Sequence, residues 1–399
     1  MHTQATATLE TSIPCPPNVA APRETPDAER LRRFGEAIDA VRKRIEAKIG
    51  DEDVRYVKRL NAFSRMMEGI GRVLIHVSFE PVGFTAGVLS LWIHKQLQAT
   101  EIGHTTLHGA FDGLEGAEAF QSKSFWWEVP IDEAGWREGH NVRHHQYTNI
   151  TGKDPDIHFG PVRLNDRTPH RAVNYVQLPF FLFALAPNFG FLMNFHFTGL
   201  EDIYGGNGRP EKYDYIEKLD WKTVKEAHRK ALRKWIPYYA KEYVFFPALA
   251  GPFFWKTLLG NWMTETMRDL YSAATIYCGH VGDDVADFDE GAKARSRGEW
   301  YAMQVEAANN FEVSHPLSVL CGALDLQIEH HLFPKWPTNR LREAAPEIRR
   351  ICEEHGVAYK TDTWGRTLAK VIRRVARLSL PTARERRERS VGRGVPATA

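Results

Sequence analysis

The chain has 399 residues, with 52 Lys and Arg against 50 Asp and Glu, so its formal net charge is only +2. This balance argues against a nucleic-acid partner, because such proteins carry a clearly basic domain with a concentrated Lys/Arg face. The four cysteines form no CxxC pair, which excludes a disulfide scaffold and a cysteine-type zinc site.

The N-terminal part of the chain precedes every apolar segment. Residues 1–28 contain no basic stretch followed by an apolar one, so they are not a secretory signal peptide, and we expect a disordered lead-in. From Asp27 to about Ile49, apolar side chains recur at spacings of three and four. This spacing predicts an amphipathic helix that packs against a protein or membrane surface.

Two apolar segments in the first half of the chain are candidate membrane segments. The run from Ile70 to Ile93 is split by Pro81, which predicts two shorter helices in a hairpin. The stretch Val176–Leu200 contains no Asp, Glu, Lys or Arg. At about 1.5 Å per residue it is long enough to cross a hydrocarbon core of about 30 Å, with bends at Pro179 and Pro187.

A second pair of apolar segments is predicted further along, at residues 243–259 and 262–280. The second of these carries Glu265, Arg268 and Asp269, which require interior partners or an interfacial position inside a membrane. Four such segments, rich in Phe and Trp, favour a membrane protein over a soluble one.

Histidines cluster in the polar stretches beside these segments. His104 and His108 in HTTLH are four residues apart, on one face of a helix, where they can bind one metal ion together. The pattern is half of a zinc-protease motif, but Thr105 stands where the catalytic Glu would be, so a membrane metalloprotease lacks its general base.

Two further clusters contain adjacent histidines. His140, His144 and His145 form HxxxHH, and His330 and His331 follow the last apolar segment. Adjacent residues diverge by about 100° around a helix, so each HH pair can address two ions lying side by side. Imidazole donors without thiolates suit iron, copper or zinc, and open positions on two redox-active ions suit the activation of O2.

The three motifs HTTLH, HNVRHH and QIEHHLFP resemble the histidine boxes of the integral-membrane fatty acid desaturases. The stretches CGHVGD and WYAMQVEAANNF, in this order and spacing, are similar to the bacterial acyl-CoA or stearoyl-CoA type, including the mycobacterial ones. The likeness covers roughly Tyr56 to Pro381.

This resemblance implies a non-haem di-iron enzyme that splits O2 and removes two hydrogens from adjacent CH2 groups of a fatty acyl chain, carried as acyl-CoA or acyl-lipid. The two electrons would come from an external ferredoxin or NAD(P)H reductase. The resemblance also implies eight ligands for two Fe ions, of which His280 matches a ligand position between the second and third boxes. These ligands are His104, His108, His140, His144, His145, His280, His330 and His331.

Other polar residues are candidates for supporting roles around the metals. Gln327 occupies the first position of the third box, where many relatives have His, and is expected to give a weak ligand, a water-mediated contact or a hydrogen bond. Asp154 and Asp156 can hold the second ring nitrogen of a ligand histidine, and Asn310 can line the site through water. His196 and His315 are expected to be structural or exposed.

The fold expected from this resemblance is all-α: an integral-membrane bundle with two or more transmembrane hairpins and a cytoplasmic helical cap that holds the metals. The desaturase domain is expected at residues 29–381, followed by a basic, disordered tail at 382–399. The membrane is expected to be the bacterial inner membrane. Because all three boxes must lie on one side, the Val176–Leu200 segment must be interfacial, re-entrant or paired.

Two other classes of function remain compatible with the sequence. Lipid hydroxylases, acetylenases and alkane monooxygenases share the histidine boxes, and only product analysis separates the insertion of OH from a double bond. A non-catalytic di-haem membrane protein would place paired histidines within spans on different helices, whereas most of these histidines lie outside them.

Overall fold

The computed structural model describes residues 26–205 and 215–392, which are mostly helical. The α-helices are α1 (Pro26–Glu46), α2 (Asp51–Val77), α3 (Pro81–Leu97), α4 (Thr105–Leu107), α5 (Glu133–Trp136), α6 (His145–Tyr147), α7 (Gln177–Phe180), α8 (Phe189–Phe197), α9 (Leu200–Tyr204), α10 (Trp221–Ala240), α11 (Phe246–Leu249), α12 (Phe254–His280), α13 (Arg297–Glu306), α14 (His315–Cys321), α15 (Gln327–Leu332), α16 (Thr338–Glu354), α17 (Trp364–Leu378) and α18 (Ala383–Gly392).

Shorter elements join these helices. The π-helical segments are Gln98–His104, Arg137–His144, Phe181–Leu185 and Lys241–Phe245, and the 3-10 turns are Glu118–Phe120, Pro155–Ile157, Ala172–Val176, Ala186–Asn188, Gly251–Phe253 and Leu324–Leu326. Two small sheets complete the described chain: β1 (His158–Phe159) is antiparallel to β2 (Val162–Arg163), and β3 (Asn310–Glu312) is parallel to β4 (Thr361–Thr363).

Helix α1 is the amphipathic helix that the spacing of apolar residues predicts. Its buried side chains Phe34, Ile38, Val41 and Ile45 pack in a core shared with α13 and α16, so its apolar face covers protein. Of the disordered lead-in expected at residues 1–28, residues 1–25 lie outside the described residues, whereas residues 26–28 already belong to helix α1, which begins at Pro26.

The C-terminal tail differs from the expectation of disorder from residue 382. Residues 383–392 form α18, and the Glu385 carboxylate accepts hydrogen bonds from the backbone N–H of His170 and from the Arg163 guanidinium. Arg163 is buried, so its positive charge favours a carboxylate partner, and Glu385 supplies it. Amino-acid composition alone does not reveal this pairing. The remainder of the tail, 393–399, lies outside the described residues.

Helices α2 and α3 form the hairpin that Pro81 predicts. The Glu80 carboxylate caps α3 by accepting hydrogen bonds from the backbone N–H groups of Val82 and Gly83, and proline at the first helical position fits this start. The two helices approach so closely that a Cβ on Gly71 would lie 2.7 Å from the backbone nitrogen of Leu91.

The second hairpin has its turn earlier than the sequence suggests. We expected two segments that meet near residue 260, but α12 runs without a break from Phe254 to His280. The turn instead lies at residues 250–253, where Gly251 adopts a positive φ of 54° and Pro252 follows. The residue Gly260 lies inside α12, where a Cβ would approach Ile75 of α2 to 2.9 Å.

The tips of the two hairpins lie side by side at one end of the bundle. The Phe79 and Phe253 rings meet edge to face with centroids 4.8 Å apart, and the Lys256 ammonium donates hydrogen bonds to the carbonyls of His76 and Ser78. Chain direction then places His280, at the end of α12, and the first histidine box, after α3, at the opposite end.

Among the described residues, one helical segment, Ala172–Phe197, is long and apolar enough to cross a membrane by length and composition alone. It is not a straight helix, because π-helical residues 181–185 and the 3-10 turn at residues 186–188 interrupt it. Pro187 lies in that turn, in agreement with the predicted bend.

Candidate metal centre

The first histidine box lies where α3 changes into the π-helical segment 98–104. The Trp127 indole N–H donates to the backbone carbonyl oxygens of Gln98 and Ala99, with Nε1 3.1 Å from each. It is thus a hydrogen-bond partner for carbonyls of the π-helical segment. Only glycine fits at position 103, because a Cβ there would collide with the same indole. His104 ends this segment.

The second box is also π-helical, which changes how its histidines face. In segment 137–144 the backbone N–H of His145 bonds to the carbonyl of His140, five residues earlier. The two rings therefore meet on one side of the helix, with their Nε2 atoms 3.3 Å apart. The His144 ring turns away, and its Nε2 atom lies 3.3 Å from Nε2 of His280. This divergence of His144 and His145 was predicted.

The third box lies on the short helix α15, which Asn310 fixes in place. The Asn310 side-chain oxygen Oδ1 accepts a hydrogen bond from the backbone N–H of Ile328, and the side-chain NH2 group donates to Glu329 and to the Tyr359 hydroxyl at 2.8 and 2.7 Å. Asn310 thus holds the α15 backbone, and its contact with the metal centre through water stays a prediction. Burial raises the pKa of Glu329 to about 7.

The predicted ligand histidines converge in two groups of nitrogen atoms, and in each group the atoms lie within 4.8 Å of one another. One group is His104, His108, His140 and His330, and the other is His144, His280 and His331. His145 lies between the groups, with its ring centroid 4.8 Å from that of His330 and 4.4 Å from that of His331. The histidines of all three boxes and of α12 therefore converge in one place in the structure.

The distances between the rings fit metal coordination. The Nε2 atoms of His104 and His108 are 3.2 Å apart, and those of His280 and His331 are 3.0 Å apart. Two nitrogens bonded at about 2.1 Å to one ion are separated by about 3.0–3.4 Å in right-angled or tetrahedral coordination. The His330 Nε2 atom is buried without a hydrogen-bond partner among the described residues.

The protonation of these rings also suits a metal. Burial, and then the charge of neighbouring imidazoles, lowers the pKa of His145, His330 and His331 well below the ordinary value. Histidines that are neutral at physiological pH have a free lone pair, which a metal ligand requires. The donor set therefore fits one or more metal ions.

Two carboxylates hold the outer ring nitrogens, as the sequence predicts. His144 Nδ1 lies 3.1 Å from both oxygens of Asp154, and His140 Nδ1 lies 3.3 Å from Asp156. Backbone N–H groups of Asn149 and Asp156 donate to Asp154 in turn, which fixes its orientation. Such contacts set the tautomer and the direction of a ligand histidine.

Two supporting residues were missed by sequence analysis. Thr148 Oγ1 and Gln304 Oε1 lie 3.1 and 3.2 Å from His331 Nδ1, and the threonine hydroxyl also donates to the glutamine. Thr148 follows the second box by one helical turn and could have been proposed on that basis. Gln304 lies on α13 with no local signal.

Gln327 contacts the centre directly. Its amide nitrogen lies 2.6 Å from His280 Nε2, and its Oε1 atom is buried without a partner among the described residues. The orientation of an amide is assigned from its neighbours, and the opposite orientation would point the oxygen toward His280. The two other histidines behave as expected: His315 is exposed, and His196 is buried with its Nδ1 2.7 Å from Glu201.

A largely apolar cavity opens beside the histidines. It encloses about 1080 Å³ of space between atoms, including its open part. His104, His140, His144, His280 and Gln327 form part of its wall. The remaining wall is mainly aromatic and aliphatic, with Trp127, Trp136, Phe159, Phe189, Met193, Phe197, Ile276 and Tyr277 among its residues.

Comparison with known proteins agrees with these features. The fatty acid desaturase family model matches residues 80–363. The chain is 31% identical to an NADPH-dependent stearoyl-CoA 9-desaturase of Mycobacterium tuberculosis, with 88% of this chain and 80% of the relative aligned. It is 26% identical to an sn-1 linoleoyl-lipid 6-desaturase of Synechocystis, over 71% of this chain and 78% of that protein.

A human relative, fatty acid desaturase 3, is 23% identical over 77% of this chain and 64% of its own length. The region that the family model matches, residues 80–363, spans all three histidine boxes and His280. The chain therefore belongs to the fatty acid desaturase family.

Proposed function

We propose that this enzyme introduces a double bond into a fatty acyl chain at a di-iron centre held by the eight predicted histidines. The observation that carries the proposal is the convergence of two groups of imidazole nitrogens on the wall of a long apolar cavity. Metal ligands and an apolar chain-binding surface in one place suit the oxidation of an unactivated C–H bond.

The two groups divide the ligands between two ions. One iron would be held by His104, His108, His140 and His330, the other by His144, His280 and His331, with His145 between them. When bound, two irons with open coordination positions supply the activation of O2. All-imidazole ligation leaves the ions highly charged, which Asp154 and Asp156 offset from behind the rings.

The chain's own residues bind and orient the substrate. The aromatic and aliphatic wall excludes water from the acyl chain and lays it past the histidines. Trp136 stacks on the His140 ring at a centroid distance of 4.6 Å and limits its rotation. Asp154 holds His144, while Thr148 and Gln304 hold His331, so both ion sites are formed before substrate binds.

The exposed apolar surface supports a position in the membrane. Phe79 and Val82 at the first hairpin tip, and Val244 and Leu249 near the second, are between 63% and 78% exposed. Such a belt of large apolar side chains is costly in water and fits a bilayer. We infer two transmembrane hairpins, with their tips at one membrane surface and the histidines in a cap at the cytoplasmic surface of the bacterial inner membrane.

The charged residues of α12 have the interior partners that this position requires. Glu265 accepts from the Lys95 ammonium of α3 at 3.0 Å, and the Arg268 guanidinium pairs with Asp269 and Glu265. Buried charges that are paired in this way are tolerated within a membrane bundle.

Two of the four electrons that reduce O2 to water must come from outside the substrate. Forming a double bond from two CH2 groups while reducing one O2 to two waters consumes two electrons and two protons in addition. We propose that a separate ferredoxin or NAD(P)H reductase supplies the electrons. The name of the mycobacterial relative, which includes NADPH dependence, supports a reductase of this kind.

Double-bond mapping tests the proposal. The full chain is expressed in a bacterial host of known fatty acid composition, together with an inactive His331→Ala control. New unsaturated fatty acids in the first culture alone are the expected result. Hydroxylated fatty acids without new double bonds would instead identify a hydroxylase and contradict the proposal.

A further inference from the structure

Charged residues form part of the wall of the acyl cavity. On α12 the cavity wall begins at His280 and continues through Tyr277 and Ser272 to Asp269 and Arg268. Asp269 precedes His280 by three helical turns, which is about 16 Å along the helix axis. The histidines and this charged pair therefore bound a long segment of the cavity.

The charged pair is fixed from several sides. Arg268 Nε lies 3.0 Å from Asp269 Oδ1, and its Nη1 donates to the Tyr238 hydroxyl at 2.6 Å. Its Nη2 lies 2.6 Å from Glu265 Oε1, and Lys95 neutralises the other oxygen of that carboxylate at 3.0 Å. The Arg268 and Asp269 side chains are only 2% and 5% exposed.

Such a pair is a barrier to hydrocarbon. A methyl end that moved past Arg268 would have to separate it from Asp269 and leave the buried Asp269 carboxylate without its cation. Removing one partner of a buried ion pair costs several kcal/mol, about 3–5. An aliphatic side chain in the same place would move aside at far lower cost.

A second cavity adjoins the pair at Asp269. Asp269 lines both cavities, and the second is also lined by Glu265, Tyr239, Tyr243 and Trp262. Trp262 is 56% exposed, so the second cavity reaches the apolar outer surface of the bundle. Asp269 is therefore part of the wall between the two spaces.

We infer that the Arg268–Asp269 pair is the stop that sets the upper limit on acyl chain length. This inference rests on the proposed desaturase function. Ser272 lies one turn closer to the histidines on the same wall, about 5.4 Å along α12, so a larger residue there shortens the space available to the chain. Replacing the pair with apolar residues removes the electrostatic barrier, so a longer acyl chain can displace the new side chains toward the second cavity.

Product profiles of variants test the inference in both directions. Ser272→Leu, with Ser272→Ala as its small-residue control, shortens the cavity, and the double variant Arg268→Met/Asp269→Leu removes the pair while keeping the net charge. Leu270→Phe adds bulk to the neighbouring position of α12, where Leu270 is 43% exposed on the outer surface. Each full-length enzyme is expressed in one host supplied with saturated fatty acids of graded chain length.

The expected result is a change in the ratio of long-chain to short-chain products. One methylene excluded from a pocket changes selectivity by about tenfold or more. We therefore expect the share of the longest product to fall by about tenfold or more in Ser272→Leu. The double variant should gain longer products. Ser272→Ala and Leu270→Phe should keep the wild-type ratios.

The outcomes separate the inference from the function on which it rests. Wild-type enzyme that forms no double bond would refute the proposed function. If Ser272→Leu and the double variant are both active and both keep the wild-type length profile, the stop is refuted while the proposed function stands. Ser272→Leu leaves every charge of the pair in place, so an unchanged length profile in that active variant would by itself contradict the stop.

Discussion

The Nε2 atoms of His140 and His145 lie 3.3 Å apart, although five residues separate the two positions in the sequence. On a regular α-helix, positions five apart diverge by about 140°, so these rings would face different sides. The π-helical segment 137–144 brings them together and frees His144 to face His280. The helix distortion thus lets one short motif serve two ion sites.

Loss of a central ligand should remove activity without removing the protein. His144→Ala or His331→Ala takes a nitrogen from the group that includes His280, so we expect no detectable double-bond formation in membranes that contain normal amounts of enzyme. His315→Ala is the matched control because His315 is exposed, and it should keep most activity. Equal losses at all three positions would contradict the ligand assignment.

The carboxylate behind His144 should control metal affinity. Asp154→Asn keeps the size of the side chain but removes the negative charge that lies 3.1 Å from His144 Nδ1. We expect metal affinity to fall by about 10- to 100-fold, measured by competition with a chelator. Glu138→Gln changes an acid that is 51% exposed beside the same box and should leave affinity unchanged. Identical affinities for both variants would refute this role of Asp154.

Asn310 should matter for stability more than for chemistry. Asn310→Ala leaves the Ile328 N–H and the Glu329 carboxyl without their amide partner. Each buried polar group left unpaired costs about 1–3 kcal/mol, so the thermal midpoint in detergent should fall clearly. Asn309→Ala, which removes one bond to Asp284, should lower it less. A larger effect at Asn309 would contradict this account of α15.

Turnover should need a second protein. Purified enzyme with iron, acyl substrate, O2 and NAD(P)H is expected to form no product, because the two electrons have no donor that can reach the centre. Adding a ferredoxin with its reductase, or a flavin–iron–sulfur reductase, should start turnover, followed as product formed and NAD(P)H consumed. Sustained turnover with NAD(P)H alone would mean that the chain carries its own redox module.

Much of the site could be predicted from residue type and spacing. The divergence of adjacent histidines follows from helix geometry and needs no tertiary information, and the pairs at His144–His145 and His330–His331 show it. The π-helical form of two boxes could not be predicted, because its cause is tertiary. At the first box, for example, the Trp127 indole lies beside the carbonyls of Gln98 and Ala99.

Long-range partners mark the limit of the sequence. Asp154 follows the second box closely and was identified, whereas Gln304 reaches His331 from a separate helix that no local pattern connects to it. The second hairpin shows the same limit. The sequence predicts two segments that divide near residue 260, but Gly260 is a point of close approach to Ile75, and the turn lies at Gly251 and Pro252.

The metal content of purified, active enzyme tests the central claim most directly. If the eight histidines hold two ions, full-length protein isolated in detergent should contain close to two irons per chain, and activity should rise and fall with iron on removal by chelator and reloading. One zinc per chain in fully active enzyme, with no iron, would contradict the di-iron centre.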